Sequence, residues 1–135
     1  MFTSLRNNYF LATLALGFVA SLLVQDANAC AIKGPENAPI TIQEFVDFQC
    51  HYCKKGAATM QEILKNYPTQ VKLVLRNLPL HQDEASILAA KAYAAVVLQN
   101  CGLAYDYQLA LFENQDQIEN AGETFLIETA EKLGI

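Results

Sequence analysis

Three hydrophobic rhythms follow one another along the 135 residues. Phe10 to Val24 (FLATLALGFVASLLV) runs fifteen residues without a charge. Ile40 to Phe48 (ITIQEFVDF) alternates instead, with Ile40, Ile42, Val46 and Phe48 on one face and Thr41, Gln43, Phe45 and Asp47 on the other. That period of two predicts a strand. Cys50-His51-Tyr52-Cys53 follows at once and opens a helix to about Asn66, with Met60, Ile63, Leu64 and Tyr67 at helical spacing and Pro68 as its stop. Val71 to Leu78 (VKLVLRNL) predicts a second strand, ended by Pro79, which cannot donate to a ladder. One helix between two strands makes a β-α-β unit with parallel strands. From Asp83 the rhythm is helical to the end, over Asp83–Leu98, Leu103–Phe112 and Thr124–Leu133, broken at Asn100-Cys101-Gly102 and Asn114-Gln115-Asp116. Residues 31–39 (AIKGPENAP) read as a polar lead-in.

The first apolar run carries Arg6 before it and Ala27-Asn28-Ala29 after it. A positive start, a short apolar core and small residues at the cleavage point predict a secretory signal peptide over residues 1–29. The run falls short of the ~20 residues a membrane-spanning helix needs. An uncleaved anchor is the competing reading. Cys30 stands where a lipoprotein carries its lipid, but Ala27 occupies the place where such signals put Leu, which favours plain cleavage over lipid anchoring. Residues 30–135 are then expected in the periplasm or another extracytoplasmic compartment, where disulfides persist.

Composition narrows the class further. A hydrophobic content of 53% excludes a disordered chain, and a net charge of −5 lacks the basic footprint of a nucleic-acid binder. Residues 101–135 hold seven acids and one base, Lys132, which reads as a solvated face. Cys101 beside Gly102 reads as a free or partly buried thiol, with pairing to Cys30 left open.

The chemistry concentrates at Cys50 and Cys53. A cysteine at a helix N-terminus meets unpaired N–H groups and the positive end of the helix dipole, which favour thiolate over thiol. A second cysteine one turn further in can close a disulfide with it. Cys50 is thus the expected exposed nucleophile and Cys53 its shielded resolving partner. His51, if protonated, adds positive charge beside the Cys50 sulfur, with Lys54 and Lys55 acting more weakly in the same sense. A zinc half-site is the competing reading, but Cys30, His81 and Cys101 form no spaced second pair. A purely structural disulfide is weak, because so short a loop constrains the unfolded chain little. Glu44 adds a separate signal. It shares the strand face of Ile40, Ile42 and Val46, where burial would raise its pKa and where it could trade a proton with Cys53.

Glu44-Phe45-Val46-Asp47-Phe48-Gln49-Cys50-His51-Tyr52-Cys53-Lys54, then Val71 to Leu80, then an all-helical stretch, resembles the DsbA-like branch of the thioredoxin superfamily over about residues 32–135. The resemblance implies an α/β thioredoxin-like fold with a helical insertion after the second strand. It implies thiol:disulfide exchange by Cys50 and Cys53, with Glu44 as the buried acid near the resolving cysteine and no cofactor or metal. Secreted or periplasmic protein thiols and disulfides are the implied partners, with a membrane redox protein a further candidate. The His51-Tyr52 dipeptide differs from the Pro-His of the best-known oxidases, so the direction of exchange stays open. The family continues into a cis-proline loop, a β-hairpin and a final helix, whereas this sequence has no proline after Pro79. The domain is therefore expected to be incomplete, with the second strand lacking a neighbour and its edge open. A CxxC metal-delivery protein and a non-catalytic fragment are the alternative functions.

Overall fold

The computed structural model describes residues 32–80 and 83–135; the expected signal peptide, Cys30 and His81 lie outside them. The elements run β1 (Ile32–Lys33), β2 (Ile40–Val46), α1 (His51–Asn66), β3 (Val71–Asn77), α2 (Glu84–Gln99), a 3-10 turn (Cys101–Leu103), α3 (Ala104–Glu113) and α4 (Gln115–Lys132). The three strands are ordered β1-β3-β2. β2 and β3 are parallel, with Ile40 opposite Val71 and Val46 opposite Asn77. This is the expected β-α-β unit followed by an all-helical half.

Two features of the sheet depart from the sequence reading. The lead-in contains β1, which pairs antiparallel with β3 through Ile32 opposite Val74. Only two residues long, it shows no period to detect. Gly34 turns the chain after it at φ +103°, and a Cβ there would stand 2.5 Å from the Val71 carbonyl oxygen, so no other residue fits that approach. β3 is consequently the middle strand. Among the described residues β1 and β2 are the outer strands, and β1 covers the second strand of the β-α-β unit only at Leu73 and Val74.

β2 also ends earlier than the alternation suggests. Ile42 and Glu44 are half-buried and Val46 is buried, while Thr41, Gln43 and Phe45 face solvent, as period two requires. Past Val46 the strand stops, and Asp47 and Phe48 are both buried, 2% and 1% exposed. Ile40, expected inside, is exposed at the strand's start, and Tyr67 is exposed past the end of α1. α1 buries Ala57 and half-buries Met60, Ile63 and Leu64.

The core joins the end of β2 to the helical half. Phe48 packs against Tyr93 of α2 and Phe112 of α3, with ring centroids 5.5 and 5.3 Å away. Full burial of such a ring is worth about 1.5–3 kcal/mol. Leu75, Ala89, Val96, Tyr107, Leu111, Ile118 and Leu126 belong to the same cluster. α2 is capped by Asp83, whose carboxylate accepts from the Ser86 N–H at 2.7 Å. α4 starts at Gln115, nine residues before the expected Thr124, because Ile118 is the one apolar anchor of its first turns and gives no repeat. Its path bends at Gly122, where φ 51° and ψ −128° leave the helical region. The seven acids of residues 101–135 are all exposed, as a solvated face requires. No helix among the described residues is long and apolar enough to cross a membrane.

Candidate active site

β2 delivers the chain into α1 through residues 47–50, and Cys50 is the N-cap of α1, extended at φ −76° and ψ 115° with no side chain capping the helix. Its sulfur therefore sits at the positive end of the dipole, among first-turn N–H groups that lack helical partners. Cys50, Cys53 and Cys101 are free thiols. The two CxxC cysteines are both half-buried, so exposure alone does not separate their roles. Their surroundings do. Cys53 packs against the hydrophobic core. Burial pushes its thiol up to about 11, helped by a hydrogen bond with Cys50 and by the charges of Cys50 and Asp47, against a lowering hydrogen bond from the Asp47 backbone.

Asp47 is the residue the alternation misplaced. Expected on the solvent face, it is buried because the strand has already ended. One carboxylate oxygen accepts from the Gln49 N–H at 2.8 Å and the Ser86 hydroxyl at 3.1 Å; the other accepts from the Leu80 N–H at 2.7 Å. Its own carbonyl accepts from the Cys50 N–H at 3.1 Å. A single carboxylate thus fastens the CxxC loop, the segment after β3 and the start of α2. Gln115, read from sequence as part of a helix break, is likewise buried. Its side-chain amide donates to the carbonyls of Phe48 at 2.8 Å and Cys50 at 3.0 Å. Lys54 Nζ donates to the Glu113 carbonyl at 3.1 Å.

Glu44 sits where the alternation places it, on the inner face of β2. Its Oε1 lies 3.2 Å from where a Gly56 Cβ would be, one turn beyond Cys53. The charge of Asp47 also raises Cys53, as its smallest contribution. Glu44 Oε2 and the Tyr105 hydroxyl are buried with no hydrogen-bond partner among the described residues. Burial raises Glu44 above its usual 4.5. Burial also raises Tyr105, with smaller contributions from the charges of Glu44 and Asp106. A carboxyl whose native pKa exceeds its unfolded value holds its proton more tightly when folded. It favours the fold below pH 4.5 and opposes it increasingly as the pH rises through the native value. Glu44→Gln is therefore expected to raise the melting temperature at pH 7 and to lose that gain at pH 4, measured by paired circular dichroism melts.

His51 and Tyr52 are exposed, Tyr52 at 79%, with their rings edge to face 6.1 Å apart. Lys55 Nζ stands 5.5 Å from the Tyr52 ring centroid. The dipeptide between the cysteines is thus contact surface rather than core. Cys101 is exposed at the corner between α2 and α3, not partly buried. A cleft of about 580 Å³ is lined by Gln49, next to Cys50 in the chain, by Asp83, Glu84, Glu119 and Glu123, and by Leu88 and Ile118. No group of three His, Cys, Asp or Glu among the described residues could hold a metal ion.

A thioredoxin family model matches residues 27–133. The catalytic domain of Proteus mirabilis ScsC superposes with a TM-score of 0.67 at 23% identity, covering 87% of this chain and 65% of that one. The thiol-disulfide exchange protein alpha-DsbA2 from Wolbachia pipientis superposes with a TM-score of 0.58 at 18% identity, covering 96% and 72%. At these identities the likeness carries the fold. The Na(+)/H(+) antiporter NhaA 3 of Salinispora tropica is 30% identical over 119 residues, which is 88% of this chain and 18% of the antiporter. The chain thus spans less than a fifth of that curated relative's length.

Proposed function

The chain belongs to the thioredoxin family, and from that premise we propose that it exchanges thiols and disulfides with exported proteins through Cys50 and Cys53. In the oxidising direction a substrate thiolate attacks the Cys50 sulfur of the Cys50–Cys53 disulfide. The S–S bond breaks, Cys53 leaves with the electron pair and takes up a proton, and a mixed disulfide forms. A second substrate thiolate then attacks that bond and releases Cys50 as a thiolate, leaving the substrate oxidised and the chain reduced. In the reducing direction the Cys50 thiolate attacks a substrate disulfide and Cys53 displaces the product. The observation that carries this reading is the asymmetry of the two sulfurs: Cys50 caps α1, whereas burial pushes Cys53 up to about 11. The pattern of residues 1–29 supports export, and the exposed His51-Tyr52 surface beside the cleft suits a protein substrate.

Alkylation of the reduced chain tests the reading. At pH 8 a thiol reagent is expected to modify Cys50 and leave Cys53 unmodified, with Cys53 labelling only as the pH approaches about 11. Mass spectrometry of the digested protein reports each site. Equal labelling of the two cysteines at pH 8 would remove the distinction between nucleophile and resolving thiol.

A further inference from the structure

The clamp from α4 onto the CxxC loop goes beyond the two cysteines. Phe48 and Cys50 lie between β2 and α1, so their carbonyls fall outside the β2–β3 ladder. The Cys50 carbonyl takes the first bond of α1, from the Lys54 N–H, at a long 3.3 Å. Gln115 supplies what that loop otherwise lacks, a buried donor reaching both oxygens from 65 and 67 residues away. Because both partners are carbonyls, the orientation of the Gln115 amide is fixed: its nitrogen must face the loop. The exposed Lys54 to Glu113 bond ties the same first turn of α1 to the end of α3. The α3–α4 corner therefore grips the N-terminus of α1 at two points, one of them buried.

Resting on the thiol-exchange reading, we propose that Gln115 is a positioning residue for that exchange: by fastening the Phe48 and Cys50 carbonyls to α4, it holds the N-cap of α1 in the geometry that favours the reduced, thiolate form of Cys50. The physical reason is the direction of the dipoles. Each carbonyl oxygen carries partial negative charge, and a donor that holds it away from the sulfur preserves the field of the first-turn N–H groups there. Released, the loop relaxes and the carbonyls become free to turn toward the sulfur, which penalises the anion but leaves the neutral disulfide little affected. Gln115 thus acts selectively on one redox state.

The test uses the full chain with three substitutions. Gln115→Met keeps the length and removes the donor. Gln115→Glu sets oxygens against the two carbonyls. Gln117→Ala alters an exposed side chain two positions on and serves as the reference. Two quantities are read: the equilibrium constant for reduction of the Cys50–Cys53 disulfide by glutathione, and the rate of Cys50 alkylation relative to Cys101 in the same molecule. The Met variant is expected to lower the equilibrium constant about tenfold, which is about 30 mV for this two-electron couple. The Glu variant should lower it further. Both should slow Cys50 relative to Cys101, while Gln117→Ala matches the parent. Folded Met and Glu variants with the parent's constant would overturn the inference and leave thiol exchange intact. Variants that lose their circular dichroism signal would overturn it as well, since Gln115 would then serve the fold rather than the thiolate. A parent chain whose Cys50 reacts no faster than Cys101 and forms no disulfide with Cys53 would remove the exchange reading, and this inference with it.

Discussion

Cys50→Ser is expected to lower the rate of insulin reduction by roughly a thousandfold, about 4 kcal/mol of barrier, and to leave no covalent adduct at Cys53 with any protein thiol. Cys53→Ser should behave differently at the same position in the cycle. Its Cys50 still attacks, but nothing inside the chain displaces the product, so mixed disulfides accumulate and survive until a reductant is added. Non-reducing gels of the two variants incubated with reduced and oxidised substrate separate these outcomes. The contrast rests on Cys50 capping α1 while Cys53 packs against the core as a neutral thiol with a pKa of about 11. Adducts mapped to Cys53 in the Cys50→Ser chain would mean that the roles are reversed.

Asp47→Leu should be the most destabilising single change near the site. It leaves the Gln49 N–H, the Leu80 N–H and the Ser86 hydroxyl without their acceptor. The Ser86 bond is buried and the other two are half-buried, and a buried donor so abandoned costs about 1–3 kcal/mol. A combined loss of about 4 kcal/mol is a large fraction of the ~5–15 kcal/mol that holds a typical domain. Asp47→Asn keeps one acceptor and turns an amide NH₂ toward a donor, so about half that loss is expected. Urea unfolding measures both, and a Leu variant within 1 kcal/mol of the parent would show that the three bonds are replaceable. The mechanism differs from that expected of Gln115, because Asp47 joins three segments of chain whereas Gln115 orders one loop.

Much of this was legible in the sequence because it is local. Period two in Ile40–Val46, helical spacing in Met60, Ile63 and Leu64, and two prolines as stops mark β2, α1 and β3 within a residue or two. The CxxC pair at the strand-to-helix junction is equally local, which is why its place survives intact. What escaped depends on distance or on a single residue. β1 is too short to show a period and exists through its pairing with β3. Asp47 lies on the wrong face of an idealised strand because β2 stops at Val46, one residue before it. Gln115 carries no local signal, since its partners are more than sixty residues away. The charge of Glu44 reaches Tyr105 from far along the chain, so sequence spacing gives no sign of it. The sheet order follows the same logic, because which strand becomes the middle one depended on an element of two residues.

The long reach of these fastenings has a kinetic side. Cys50 and Cys53 are three residues apart and can join in a chain with no tertiary structure. The bonds that build their surroundings close loops of 33, 39, 65 and 67 residues. Contacts of such separation carry the larger loop-closure entropy and tend to form late. A disulfide between the two cysteines is therefore no sign of a finished molecule. Refolding from urea should return helical signal first and a native glutathione equilibrium afterwards, with alkylation of quenched samples tracking the second phase. On that expectation the redox poise is set in the last folding step, when the helical half closes over two sulfurs that were neighbours from the start.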